Sequence, residues 1–133
     1  MVKTIVIKDL NFPTNKRSKT EVEWICDSLG LIEGRDTENI SFKIMYELLD
    51  SFSKNEMVAT ESIASALSLD PPRINHHVRS LMDSGILYRE KRKIKLRGGT
   101  LTMAIKEIKR DSDKLFERLL EISQHIDDRM NLN

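Results

Sequence analysis

Residues 69–87 read LDPPRINHHVRSLMDSGIL. Within them Ile74, Val78, Leu81 and Met82 recur at helical spacing, so the stretch predicts a helix over about 70–84 with one apolar stripe. Pro71 and Pro72 suit its first turn, where N–H groups have no intrahelical acceptor and nothing is lost by their absence. Asp70 stands where an N-cap belongs, and its carboxylate is expected to accept from the N–H of Arg73. Gly85 supplies the stop. Opposite the stripe lie Arg73, Asn75, His76, Arg79 and Ser80, while His77 leans on its buried edge. Neighbouring residues on a helix diverge by about 100°, so His76 and His77 do not chelate one ion together. The pair predicts one outward contact and one inward packer, and no metal.

Downstream, Ile86-Leu87-Tyr88-Arg89 leads through Glu90-Lys91-Arg92 to Lys93-Ile94-Lys95-Leu96-Arg97. Alternation of Ile94 and Leu96 with basic residues is the period of a half-buried strand. The expectation is a β-hairpin over about 86–97, apolar towards the helices and cationic outside, carrying Arg89, Lys91, Arg92, Lys93, Lys95 and Arg97. Gly98-Gly99 ends it.

Upstream, the β-branched run Thr4-Ile5-Val6-Ile7 predicts a short strand, followed by a loop over 11–17 that contains Pro13. Ser18-Lys19-Thr20-Glu21 has the spacing of a capping box. Val22, Ile25, Cys26 and Leu29 then mark a helix stopped by Gly30, with Trp24 at its flank. EGRDTE (33–38) is a polar linker. Ile40, Ile44, Met45, Leu48, Leu49 and Phe52 predict an amphipathic helix ending near Ser53. Met57-Val58 bridges to Thr60, expected to cap a short helix bearing Ile63, Ala64 and Leu67.

A last helix begins at Thr100 or Thr102. Ile105, Ile108, Ser112, Leu115, Leu119, Ile122 and Ile126 follow the alternating three-four spacing of a heptad seam. From Met103 to Met130 it would extend roughly 42 Å, too far for a small core to cover. Such a stripe calls for a second helix, and a homodimer through Ile105, Ile108, Leu115, Leu119, Ile122 and Ile126 is expected.

Composition narrows the function classes. The 133 residues are 39% apolar and 32% charged with a net charge of +1. That balance conceals a split: residues 18–70 hold 4 basic and 11 acidic side chains, whereas 71–110 hold 11 basic and 3 acidic. One basic face suits a polyanion; the competing reading is that the two blocks pair with one another. Cys26 stands alone, so neither a disulfide framework nor a thiolate cluster is expected. The first residues lack a signal-like apolar core, no apolar run reaches membrane length, and the expected location is the cytoplasm. A Gly-rich phosphate loop, paired catalytic carboxylates and a nucleophile beside a base are all missing from the pattern, so no enzyme and no cofactor are expected.

Two helices, a tight turn, a capped helix, a glycine with an apolar pair and a basic hairpin form the winged helix–turn–helix order. The residues ALSLDPPRINHHVRSLMDSGIL resemble ArsR-type transcriptional repressors, and more loosely the MarR type, through Ile74, His76-His77, Leu81 and Gly85-Ile86. The resemblance covers about residues 40–99. It departs from the metal-sensing members: there is one cysteine, and although the last helix offers Asp111, Asp113, His125 and Asp128, Asp113 stands where a His is expected and His125 is one residue out of step, so metal sensing is not carried over.

The expected fold is therefore mostly α with a small β-hairpin wing: an N-terminal strand and helix extension (1–38), a winged helix–turn–helix domain (39–99) and a long dimerisation helix (100–133). What the resemblance implies is a homodimeric, sequence-specific regulator of double-stranded DNA. Its recognition helix would lie in the major groove, and its wing on the backbone or minor groove. Arginine can engage guanine and asparagine adenine through paired hydrogen bonds. The alternative is a winged-helix module that binds a protein, an RNA or a ribonucleoprotein. Neither the operator nor an effector is written in the sequence.

Overall fold

A computed structural model describes residues 4–14, 17–31 and 39–132; the expected linker at 33–38 lies outside them. Among the described residues five helices and one hairpin follow in order: α1 (Ser18–Ser28), α2 (Ile40–Phe52), α3 (Thr60–Leu67), α4 (Pro71–Asp83), β1 (Leu87–Glu90), β2 (Lys93–Leu96) and α5 (Leu101–Met130). The chain is thus mostly helical, with a small antiparallel hairpin and a long C-terminal helix.

The core is where the apolar stripes meet. Ile44, Met45 and Leu48 of α2, Ile63 of α3, and Ile74, Val78 and Leu81 of α4 are buried together. Ile86, Leu87, Ile94 and Leu96 close one side of this cluster, and Ala104 and Ile108 of α5 another. Each fully buried aliphatic side chain contributes roughly 1.5–3 kcal/mol, so the periodicity of α2 and α4 sets the fold. His77 is buried as expected, with its Nδ1 2.9 Å from Ser41 Oγ on α2. That contact engages one ring nitrogen and joins the two helices.

β1 and β2 pair antiparallel in the register Leu87↔Leu96, Tyr88↔Lys95, Arg89↔Ile94 and Glu90↔Lys93. Lys91 (φ 52°) and Arg92 (φ 67°) make the two-residue turn, both in the left-handed region that a tight hairpin demands. Val58 adds a further rung: its N–H donates to Ile94 O at 2.9 Å and its carbonyl accepts from Ile94 N–H at 2.7 Å. The segment expected only to bridge two helices therefore fixes the hairpin to the helical body.

Several local expectations are corrected. Thr4-Ile5-Val6-Ile7 forms no strand; Lys8 N–H instead donates to Ser28 O at 2.7 Å, and the segment lies against the end of α1. Gly30 allows that approach, for at φ +65° a Cβ there would sit 2.7 Å from Val6 Cγ1. The capping box is not formed, because α1 starts after Arg17 and so takes Ser18 into its first turn. Likewise the N-cap of α3 is Ala59, with Thr60 already helical. On α4 Asp70 is the N-cap, but its backbone carbonyl, not its carboxylate, accepts from Arg73 N–H at 3.1 Å and Ile74 N–H at 3.3 Å. With two prolines ahead of them, these are the first donors the helix offers, and the carbonyl takes both. Of the two expected starts of α5, Thr100 is the N-cap, and its Oγ1 accepts from Met103 N–H at 3.1 Å.

Phe12 stacks on Trp24 with ring centroids 5.2 Å apart, fastening the N-terminal segment to the flank of α1. Cys26 is wholly buried, and burial, reinforced by Asp27 and Glu23, pushes its thiol up to about 12. A thiol so held is an apolar core residue, not a nucleophile.

Candidate functional site

The hairpin and α4 meet at Arg89. In the observed register Arg89 shares a face with Leu87, Ile94 and Leu96, the inward face, and its long side chain runs out beyond the apolar edge. There Nη2 donates to Asn75 Oδ1 at 2.6 Å, and both Nη1 and Nη2 lie 3.3 Å from Thr60 Oγ1. Thr60 in turn donates to Asn75 Oδ1 at 3.2 Å. Nη1 also donates to the carbonyl of Arg92 at 3.2 Å, inside the hairpin turn. One guanidinium therefore braces the turn against α3 and α4. Charge-assisted bonds of this kind are roughly twice as strong as neutral ones, and a planar fork loses little freedom in making several.

Around this brace the basic residues divide into two groups. Lys91, Arg92 and Lys93 are exposed at the hairpin tip. Arg79 is exposed on α4, one turn beyond Asn75, and so stands on the side of the helix that the hairpin flanks. His76 is exposed between Arg79 and the opposite flank, where Arg73 is exposed and Ser80 half-buried. Arg73 lies about 160° around the axis from Asn75 at helical spacing. The cations of α4 thus frame its outer face from both sides instead of forming one patch with the hairpin.

Two residues expected in the basic surface are engaged elsewhere. Lys95 Nζ lies 3.1 Å from Glu90 Oε2 and 3.3 Å from Glu56 Oε1, and its side chain is 14% exposed. It also sits over the Tyr88 ring, 5.6 Å from the centroid. The Glu90 contact, ahead of Tyr88 and Glu56, holds its ammonium above the ordinary lysine value. Arg97 is clamped to α5, with Nε 2.7 Å from Glu107 Oε2 and Nη1 2.8 Å from Asp111 Oδ2. Asp111 chiefly raises its already high pKa. The outward face of the hairpin is correspondingly mixed, being Tyr88, Glu90, Lys93 and Lys95, and not wholly cationic. Arg89 and Asn75, expected as outward contacts, face one another.

The long helix carries the second candidate surface. Ile108, expected in the seam, is 4% exposed and belongs to the core, where with Ala104 it seats α5 on the body. Ile105 is at the margin, at 36%. Beyond Asp113 every described residue of α5 is exposed, including Leu115, Leu119, Ile122 and Ile126. Phe116 and Leu120, which the three-four spacing passes over, are 59% and 67% exposed beside them. At helical spacing these residues span an arc of about 160°, wider than a two-helix seam. A groove of about 420 Å³ opens at its near end, lined by Ile5, Met82, Leu87, Tyr88, Arg97 and Leu115 among others.

Among the described residues no group of three or more His, Cys, Asp and Glu side chains converges, and no helix is long and apolar enough to cross a membrane. Comparison with protein-family models, with curated proteins and with solved structures finds no match. The functional reading rests on the geometry alone.

Proposed function

We propose that the chain is a winged helix–turn–helix regulator of double-stranded DNA in the cytoplasm, acting as a homodimer through α5. In this reading residues 39–99 are the DNA-binding unit, α4 is the recognition helix, and the hairpin is the wing. Arg79, His76 and Arg73 meet base edges and phosphates, Lys91, Arg92 and Lys93 meet the backbone beside them, and no catalytic step is involved. One observation carries the reading: the Arg89 brace holds a hairpin tip bearing three exposed cations, Lys91, Arg92 and Lys93, against the helix whose outer face is polar and basic. A major groove admits one helix, and a rigid basic arm at its flank fits the phosphate row beside that groove.

The homodimer rests on the bare apolar arc of α5, which exceeds what scattered surface residues require. Leu119→Glu places a charge at its middle and leaves the core untouched. Sedimentation of that variant at half the parent's mass is the expected outcome, and an unchanged mass would remove the seam.

A second reading, a module that docks an apolar protein partner, is favoured by the width of the same arc. Phe116 and Leu120 add surface that one partner helix does not cover. The deciding experiment is recovery of bound sequences from a randomised duplex library, repeated at rising salt. Phosphate neutralisation makes affinity fall steeply with ionic strength, by nearly one order per order of salt for each contact. No enrichment, or salt-indifferent retention, would overturn the duplex-DNA reading and favour the protein-docking one.

A further inference from the structure

Asparagine in a recognition helix has two ways to read a base. With its oxygen and nitrogen both free it grips adenine, accepting from N6 and donating to N7; with only the nitrogen free it is a pure donor. The environment of Asn75 decides between them. Arg89 has no acceptor, so the amide atom facing its Nη2 at 2.6 Å is the oxygen. The Thr60 hydroxyl donates to the same oxygen at 3.2 Å. Both lone pairs of Oδ1 are thereby occupied, by partners on α3 and on the hairpin. Asn75 is half-buried, and what it keeps for an outside partner is the Nδ2 amide with its two N–H donors.

We infer that Asn75 is a donor-only reader whose orientation is set by Arg89 and Thr60, and that it selects a keto base, guanine or thymine, at the position it meets. The inference rests on the DNA-binding reading above and sharpens it. Guanine offers the acceptors N7 and O6 in the major groove, and thymine offers O4, so either accepts from Nδ2. Adenine presents an N6 donor beside N7, which would meet a second donor and find no oxygen to receive it. Arg89 is then a positioning residue: it reads no base, yet it decides which base Asn75 reads.

The experiment compares sequences recovered from a randomised duplex library by the parent, Asn75→Ala, and the pair Arg89→Met with Thr60→Val. The parent is expected to enrich guanine or thymine at one position whose preference disappears in Asn75→Ala. The double variant frees Oδ1, and the same position is expected to move towards adenine. Replacing a selected guanine by 7-deazaguanine should lower the parent's affinity roughly tenfold, the scale of one lost base contact, and leave Asn75→Ala unaffected. Because the double variant removes a brace, Asn75→Asp serves as an independent check. It retains the bond to Arg89, carries no donor, and is expected to lose the keto preference with the fold intact. A parent preference for adenine that depends on Asn75 would overturn the inference, as would a double variant with the parent's profile. A parent that enriches no sequence at all would instead overturn the DNA-binding reading beneath it.

Discussion

The two ends of the hairpin carry nearly the same residue types and do different work. At the root, Lys95 and Arg97 hold Glu56, Glu90, Glu107 and Asp111, tying the hairpin to the α2–α3 connection and to α5. At the tip, Lys91, Arg92 and Lys93 are exposed. Arg89, between them, turns inward and uses its charge to fix the tip in place. A count of basic residues treats all six alike, but within the hairpin only the tip offers exposed cations that could displace the counterions condensed on a phosphate row. Charge available to a ligand is therefore smaller than charge present, and the difference is set by which carboxylates the fold brings near.

The largest expected effect tests that division at the tip. Changing Lys91, Arg92 and Lys93 together to Ala should lower duplex affinity about 100-fold at moderate salt. The slope of log affinity against log salt should flatten by about 2 to 3 units, measured by fluorescence anisotropy. Stability should change little, since exposed side chains away from the core seldom contribute more than about 0.5 kcal/mol each. An unchanged salt slope would mean that the tip meets no phosphate and that the contrast with the root has no functional content.

The sequence showed some of this and hid the rest for identifiable reasons. The stripe of Ile74, Val78 and Leu81 and the Pro71-Pro72 start placed α4 correctly, because burial of one face and the missing N–H groups are local properties. The alternation around Ile94 and Leu96 likewise located the second strand of the hairpin. Which cations pair was not legible, because Asp111 reaches Arg97 only once Ala104 and Ile108 have seated α5 on the body. Thr60 read as a cap because a hydroxyl before a helical pattern usually is one. Its bonds to Asn75 and Arg89 come from elements 15 and 29 residues away, beyond any window of periodicity. Thr4-Ile5-Val6-Ile7 has the composition of a strand, but a strand needs an edge to pair with. Among the described residues what it meets is the end of α1, where Lys8 N–H donates to Ser28 O and no ladder follows.

The next effect is smaller and falls on the root. Arg97→Ala removes one guanidinium from between Glu107 and Asp111 and leaves two half-buried carboxylates without their cation. A loss of about 1–2 kcal/mol in urea unfolding is expected, with duplex affinity within a factor of about two of the parent. A large fall in affinity with no loss of stability would show that the root, too, faces the ligand.

The smallest effect is the most discriminating, because its two readouts move in opposite directions. Arg92 holds φ 67° at the hairpin turn, a conformation that costs an L-residue with a side chain about 1 kcal/mol and glycine almost nothing. Its carbonyl, which Arg89 grips, belongs to the backbone and survives substitution. Arg92→Gly should therefore raise stability by up to about 1 kcal/mol, visible as a rise of a few degrees in Tm, while affinity for duplex DNA falls several-fold. A variant that gains stability and keeps its affinity would leave Lys91 and Lys93 as the only tip contacts. One that loses stability would mean that the Arg92 side chain supports the turn, and the tip would then resemble the root. The opposite signs follow only if a strained backbone position is occupied by a cation that acts outside the fold.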